Sequence, residues 1–249
     1  MTGTNGNNEA VIEVADLHKT FDEKKVLQGV SLNLYRGETI SILGRSGQGK
    51  SVMIKCMVRL ITPDEGSIFV LGEDVLKLGD NELNSLRARV GYLFQEGALY
   101  DSMTLSENLL FPLERNKPGM KPENKQELVE NTLRSVDLLE DYEKMPAELS
   151  GGMRKRAGLA RTLVLQPEII LYDEPTTGLD PYTAREINEL IVRIQEIYTV
   201  SSIVVTHDMR CAKRVSDRVL ILHDGNFIAR GTFEELQNHE EEIVRNYFI

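Results

Sequence analysis

Thr39-Ile-Ser-Ile-Leu-Gly-Arg-Ser-Gly-Gln-Gly-Lys-Ser51 decides how this chain is read. Thr39–Leu43 is a nearly continuous apolar run, as expected of a strand buried on both faces. Gly44 to Ser51 fits G-x-x-x-x-G-K-[S/T], and a helix is expected from Lys50 to about Leu60. The match gains its meaning from that strand–loop–helix context. Glycines at 44, 47 and 49 permit backbone angles that turn successive amides inward. Those amides and the helix N-terminus form a cradle for an anion. Gly44, Arg45, Ser46, Gly47, Gln48 and Gly49 supply its walls. Lys50 is expected to reach terminal phosphates and Ser51 to coordinate Mg²⁺. The competing reading is a glycine-rich turn that happens to carry a lysine.

Two further stretches extend the case. Glu168-Ile-Ile-Leu-Tyr-Asp-Glu174 reads as a buried strand ending in two acids. Asp173 at the strand tip suits a Mg²⁺ held through water. Glu174, one step further toward the crevice at the carboxyl ends of the strands, is placed to polarise an attacking water. Leu149-Ser-Gly-Gly-Met153 precedes a helix rich in small and basic residues, Arg154–Arg161. Ser150, Gly151 and Gly152 form a second helix start facing an anion, or else a Ser N-cap with a flexible lead-in. The chain thus carries two phosphate-facing elements about a hundred residues apart.

Composition sets the outer limits. The chain has 249 residues, 29 Lys plus Arg and 39 Asp plus Glu, a net charge of −10 that argues against nucleic acid as a partner. It argues equally against loose adsorption on anionic lipid, so a membrane role has to come through a protein partner. No stretch approaches the ~18 apolar residues of a membrane span. The polar start, residues 1–10, lacks the features of a signal peptide and is expected to be a disordered tip. Cys56 and Cys211 have no nearby Cys or His at metal spacing, so they are expected to be reduced packing residues with no redox role.

Strands are expected at Val11–Val14, Val30–Leu34, Ser67–Leu71, Arg89–Phe94, Ser202–Val205 and Arg218–Leu222. Asp224-Gly-Asn226 suits a hairpin turn into Phe227–Ala229. Between 96 and 165 strand signals fade. A polar connector, Glu114–Glu123, precedes a helix with Leu128, Val129, Thr132, Leu133 and Val136 on one stripe. Tyr182–Tyr198 and Phe233–Ile249 also read as helical. Residues 96–165 are therefore expected to be a helical subdomain inserted into an α/β core of 11–95 and 166–249.

In these ordered motifs the chain, from about Val11 onward, resembles the ATP-binding subunits of ABC transporters. The resemblance implies a P-loop NTPase of the ABC ATPase type, with an antiparallel β subdomain beside the helical one. Gly44–Ser51 looks like the Walker A loop, with Val52 following. Ile169–Asp173 looks like Walker B, Glu174 the catalytic glutamate and Leu149–Met153 the signature. Gln95 matches the glutamine that meets Mg²⁺ and the attacking water. Asp180 in Leu179-Asp180 matches the D-loop, and His207 the switch histidine. Phe21 falls where the family stacks an aromatic on adenine. The resemblance further implies ATP and Mg²⁺ between two copies of the chain arranged head to tail. The signature of one copy would meet the γ-phosphate held by the other. It also implies a permease partner and a place on the cytoplasmic face of the inner membrane.

Phe94–Tyr100, Ser150–Arg156 and Lys50-Ser-Val52 resemble the ATPases of MCE-type lipid transport systems, which implies a lipid cargo and an MCE-domain partner. Val52 lacks the hydroxyl that most of the family offers the α-phosphate. The chain stops soon after Tyr247, which puts in doubt the C-terminal clasp of some members. An ATPase of a solute importer or of a drug or lipoprotein exporter is the alternative. A soluble ABC protein would join two units or insert a coiled coil. A P-loop GTPase would need an Asn-Lys-x-Asp reader, and the nearest text is Asn124-Lys-Gln-Glu127.

Overall fold

Long antiparallel strands open the chain in the computed structural model, which describes residues 9–248. Residues 1–8 of the expected tip lie outside the described residues. Its last two are ordered by pairing: Glu9 receives the Arg36 guanidinium (2.9 Å), and Ala10 already faces Tyr35 in the first strand pair.

In chain order the elements are β1 (Ala10–Phe21), β2 (Lys24–Tyr35), β3 (Thr39–Leu43), α1 (Lys50–Met57), β4 (Glu65–Val70), β5 (Glu73–Asp74), α2 (Asp80–Arg89) and β6 (Val90–Leu93). Then come α3 (Leu105–Asn116), α4 (Pro122–Ser135), α5 (Gly151–Leu163), β7 (Ile169–Asp173), α6 (Pro181–Tyr198), β8 (Ser201–Thr206), α7 (Met209–Val215), β9 (Arg218–His223), β10 (Asn226–Gly231), α8 (Phe233–Gln237) and α9 (Glu242–Arg245). One sheet runs β2-β1-β4-β5 and is antiparallel throughout. The other runs β10-β9-β3-β8-β7-β6, parallel except for β10.

Strands β3, β7 and β8 are buried along their whole length, as a parallel sheet covered on both faces requires. Ile40, Ile42, Ile203 and Val205 pack toward Met53, Ile54 and Met57 of α1 and the antiparallel sheet. On the opposite face Ile170, Tyr172 and Val204 pack against Leu159 and Leu163 of α5 and Ile187 and Ile191 of α6. Residues 94–168 contain helices and turns and no strand among the described residues. Leu109, Leu113, Val129 and Leu133 of that stretch share the core of this second face.

Several boundaries move for local reasons. Helix α1 ends at Met57, three residues early, where Arg59 turns to φ 49°. The polar connector shrinks to residues 117–121. Helix α3 runs on through Pro112 to Asn116, and Pro122 starts α4 from its first-turn position. Helix α3 begins at a capping box: Thr104 accepts from the Glu107 amide and Glu107 accepts from the Thr104 amide. The C-terminal stretch read as one helix is two short ones, broken between Asn238 and Glu241. The hairpin at Asp224-Gly225 has both residues at positive φ, the type I′ geometry that matches strand twist.

Candidate functional site

The carboxyl ends of β3, β6, β7 and β8 meet at one edge of the parallel sheet, and the sequence-predicted residues gather there. Gly49 caps α1 at φ 95°, and a Cβ on it would sit 2.8 Å from the Val26 carbonyl. Gly47 is also left-handed. Gly44 is not; there a Cβ would lie 2.8 Å from the Leu222 carbonyl, so close packing and not backbone angle excludes a side chain. Helix α1 has no side-chain cap and no acid in its first turn, which leaves its leading amides open to an anion. Lys50 is buried. Its Nζ donates to the Gly44 carbonyl (2.7 Å) and the Arg45 carbonyl (3.2 Å), and lies 3.4 Å from Glu174 Oε1.

Asp173 is buried and accepts two hydrogen bonds, from Ser51 Oγ (2.6 Å) and from Tyr92 Oη (2.9 Å). Burial first, and then the Asp173 carboxylate, pushes the Tyr92 phenol far above its ordinary range, so it remains a donor. Glu174 is held from four sides. Its amide donates to the Val205 carbonyl (2.9 Å), its Oε2 accepts from the Thr177 hydroxyl (3.2 Å) and faces His207 Nδ1 (2.8 Å), and its Oε1 faces Lys50. Gly47, Lys50, Ser51, Gln95, Glu174 and His207 line a common cavity of about 350 Å³.

The Ser51 hydroxyl and the Asp173 carboxylate are hard oxygen donors in contact, a set that suits Mg²⁺. No group of three His, Cys, Asp or Glu capable of holding a metal occurs among the described residues. A magnesium ion here would therefore rely on oxygens of a bound phosphate as well.

Other predicted residues stand apart. Phe21 is exposed at the end of β1, with Lys19 Nζ 5.3 Å from its ring centroid, and does not line the phosphate cavity; Val26 and Val52 do. Arg45 and Ser46 are exposed loop residues, of which Ser46 lines the cavity, and Gln48 Nε2 donates to Asp224 Oδ1 (3.4 Å). Ser150 caps α5, its Oγ accepting from the Met153 amide (3.3 Å). The cap reading holds, and the exposed hydroxyl keeps its own proton to donate. Ser150, Gly151 and Gly152 do not line the phosphate cavity. Asp180 caps α6, accepting from the amides of Tyr182 and Thr183. A Cβ on Gly152 would lie 2.5 Å from Thr183 Cγ2, so the start of α5 packs directly on the start of α6.

Sequence reasoning missed Tyr92, Thr177 and Lys155. Tyr92 was legible in principle: it pairs with Leu171 across β6 and β7, which puts it on the face of Asp173, two residues on. Thr177 and Lys155 carried no such signal. The two cysteines are buried and unpaired, as expected.

The family model described as ABC transporter matches residues 27–177. A probable ribonucleotide transport ATP-binding protein, mkl, from Mycobacterium leprae is 40% identical over 236 residues, covering 95% of this chain and 68% of that protein. Protein TRIGALACTOSYLDIACYLGLYCEROL 3, chloroplastic, from Arabidopsis thaliana is 38% identical over 263 residues, 98% of this chain and 75% of its own length. Among solved structures, the dimeric post-hydrolysis state of an ATP-binding cassette bound to ADP and Pi superposes with a TM-score of 0.81 at 31% identity, over 89% of this chain and 98% of that one.

Proposed function

The chain belongs to the ABC transporter family, and on that premise we propose that it is the ATP-hydrolysing motor subunit of a membrane transporter, acting as a head-to-tail pair. The observation that carries the reading is the convergence of Lys50, Ser51, Glu174 and His207 on one cavity at the sheet edge, with Asp173 hydrogen-bonded to Ser51. The dimeric neighbour bound to ADP and Pi supports the pair.

In this reading residues 96–165 form the helical subdomain and the rest of 11–249 the α/β core with its β subdomain. The glycine loop and α1 amides grip the β- and γ-phosphates, and the Lys50 ammonium leaves the Gly44 and Arg45 carbonyls for a phosphate oxygen. Ser51 and Asp173, with Gln95, would hold Mg²⁺, which would neutralise charge developing on the transferred phosphoryl group. The Glu174 carboxylate takes the proton of the attacking water, and His207, against its Oε2, orients that carboxylate and faces the γ-phosphate. Ser150, Gly151 and Gly152 present their hydroxyl and amides to the partner's γ-phosphate. Asp180 orders the adjoining turn. Phe21 stacks on the adenine. Hydrolysis then requires both subunits, because neither contains a complete phosphate shell.

No described helix is long and apolar enough to cross a membrane. In this reading membrane contact passes through a permease, on the cytoplasmic face, as the family's transport role suggests. Its seat is the groove between Leu60, Phe94, Pro112 and Arg161, where Arg161 Nε is buried without a partner among the described residues and its guanidinium lies 4.8 Å from the exposed Tyr100 ring centroid. A lipid cargo, with an MCE-domain partner, is supported by the Phe94–Tyr100, Ser150–Arg156 and Lys50-Ser-Val52 stretches and by the galactolipid in the Arabidopsis relative's name. The name of the mycobacterial relative favours a second reading, a ribonucleotide cargo.

Glu174→Gln tests the chemistry. ATP should still bind and lock a stable dimer, seen by light scattering, while turnover falls below a tenth of the parent. Sustained hydrolysis would remove Glu174 from the reaction. Capture from native membranes separates the cargoes: an MCE-domain protein beside the permease supports lipid, and a permease without one removes that assignment.

A further inference from the structure

Helix α5 does more than present Ser150. Lys155, five residues on, is 7% exposed and donates from Nζ to the main-chain carbonyl of Gln95, its one hydrogen-bond acceptor among the described residues. Three residues further, Gly158 crosses the same turn: a Cβ there would lie 2.7 Å from both Cα and O of Gly97. From the other side, Gly97 sits at φ 80° with a Cβ position 3.1 Å from the Arg154 carbonyl. The Gly97 amide donates to Phe94 (2.9 Å) and closes the turn that carries Gln95. Residues 155 and 158 share one helix face, so the turn is gripped at two adjacent points.

We propose that Lys155 is a positioning residue that fixes the Gln95 turn to the Ser150 helix, so that the side chain facing this subunit's nucleotide and the helix start facing the partner's nucleotide are set as one body. The inference rests on the two-subunit reading above and deepens it. A buried ammonium is an expensive way to fill space, and a methionine would fill the same volume without desolvation. The atom that Lys155 serves is the carbonyl of an otherwise exposed glutamine. Either nucleotide, once engaged, orders a contact that the other site uses.

Lys155→Met removes the donor and keeps the stem, and Lys155→Arg restores a cation. Hydrogen exchange on the nucleotide-free full chain should show amides of residues 95–99 opening about tenfold faster in the Met variant and near the parent rate in the Arg variant. In a Glu174→Gln background, the Met variant should need about tenfold more protein to pair in ATP, while ATP binding to the single subunit changes less than about twofold. Should the Met variant fail to fold, Lys155→Gln, which shortens the reach and drops the charge, carries the same expectations. Parent-like exchange together with parent-like pairing would overturn the proposal. If Glu174→Gln alone does not pair in ATP, the two-subunit reading falls instead, and the exchange rates still decide whether Lys155 holds the turn.

Discussion

Tyr92→Phe removes a single oxygen and tests how the second acid of the site is held. Asp173 is 4% exposed, and among the described residues only Ser51 Oγ and Tyr92 Oη satisfy its carboxylate. The ring itself stays, packed 4.3 Å from the Phe94 centroid, so no cavity opens and the cost is electrostatic. Losing one hydrogen bond to a buried charged acceptor costs about 1.5–3 kcal/mol. At about 2–4 °C per kcal/mol for a chain of this size, the melting midpoint should fall by about 3–12 °C. Ser51→Ala strips the other oxygen of the same carboxylate, and the double variant should depart from additivity by more than about 0.5 kcal/mol. Because Tyr92 orients an acid proposed to serve Mg²⁺, the Mg²⁺ concentration for half-maximal ATPase activity should rise by about 10–100-fold. Calorimetry and a magnesium titration read both. A variant within about 0.5 kcal/mol of the parent, with an unchanged magnesium requirement, would refute the reasoning.

Three other outcomes follow from the same geometry. Gly158→Ala places its methyl 2.7 Å from Gly97 backbone atoms, so urea unfolding should register a loss of at least about 1–3 kcal/mol; an unchanged midpoint would mean the turn and α5 are not in contact. Burial pushes the Cys56 thiol up to about 11 and Cys211 further still, so mass spectrometry after iodoacetamide at pH 8 should find neither modified in the native protein and both after unfolding. For Glu168, burial pushes the carboxyl up but the guanidiniums of Arg89 (2.8 Å) and Arg36 (3.4 Å) outweigh it and hold it below its ordinary value. A depressed folded-state value adds stability above the unfolded carboxyl's range near 4.3 and loses it as pH falls. Glu168→Gln should therefore be less stable at pH 7, by under about 1 kcal/mol for so exposed a group, with the gap closing on acidification.

The phosphate loop, the acid pair and the Ser150 helix start were legible because each is a local demand. A run of backbone amides needs glycine beside it, and an acid at a strand tip needs only the strand. Their supports were not legible, because each comes from a different element. Lys155 reads as one more basic residue of α5 until Gln95, sixty positions earlier in the chain, is folded against it. Helices α2 and α7 escaped notice for a simpler reason: polar Asp80–Arg89 buries only Leu83 and Leu86, and Met209–Val215 is two turns long. Gly44 was expected to serve its loop by backbone angle, yet its neighbour is Leu222 on β9, a contact that only the sheet order brings about.

Backbone strain adds an argument that no side-chain motif supplies. Of the non-glycine residues with positive φ among the described residues, Glu174 alone is buried; Asp16 sits at a register shift inside β1, and it and the others have at least partial solvent exposure. Such a conformation costs about 1–3 kcal/mol and persists only where the surroundings over-determine it. Here they do, through the Val205 carbonyl, Thr177, His207 and Lys50. Glycine would relieve the backbone but delete the carboxylate, and an unstrained glutamate would aim elsewhere. The fold thus holds the carboxylate in place before any nucleotide arrives. In the proposed function binding then need not reorganise it; binding would need only to draw Lys50 off the strand end and bring in the partner's Ser150, which leaves assembly of the pair, and not alignment of the glutamate, as the step for ATP to drive.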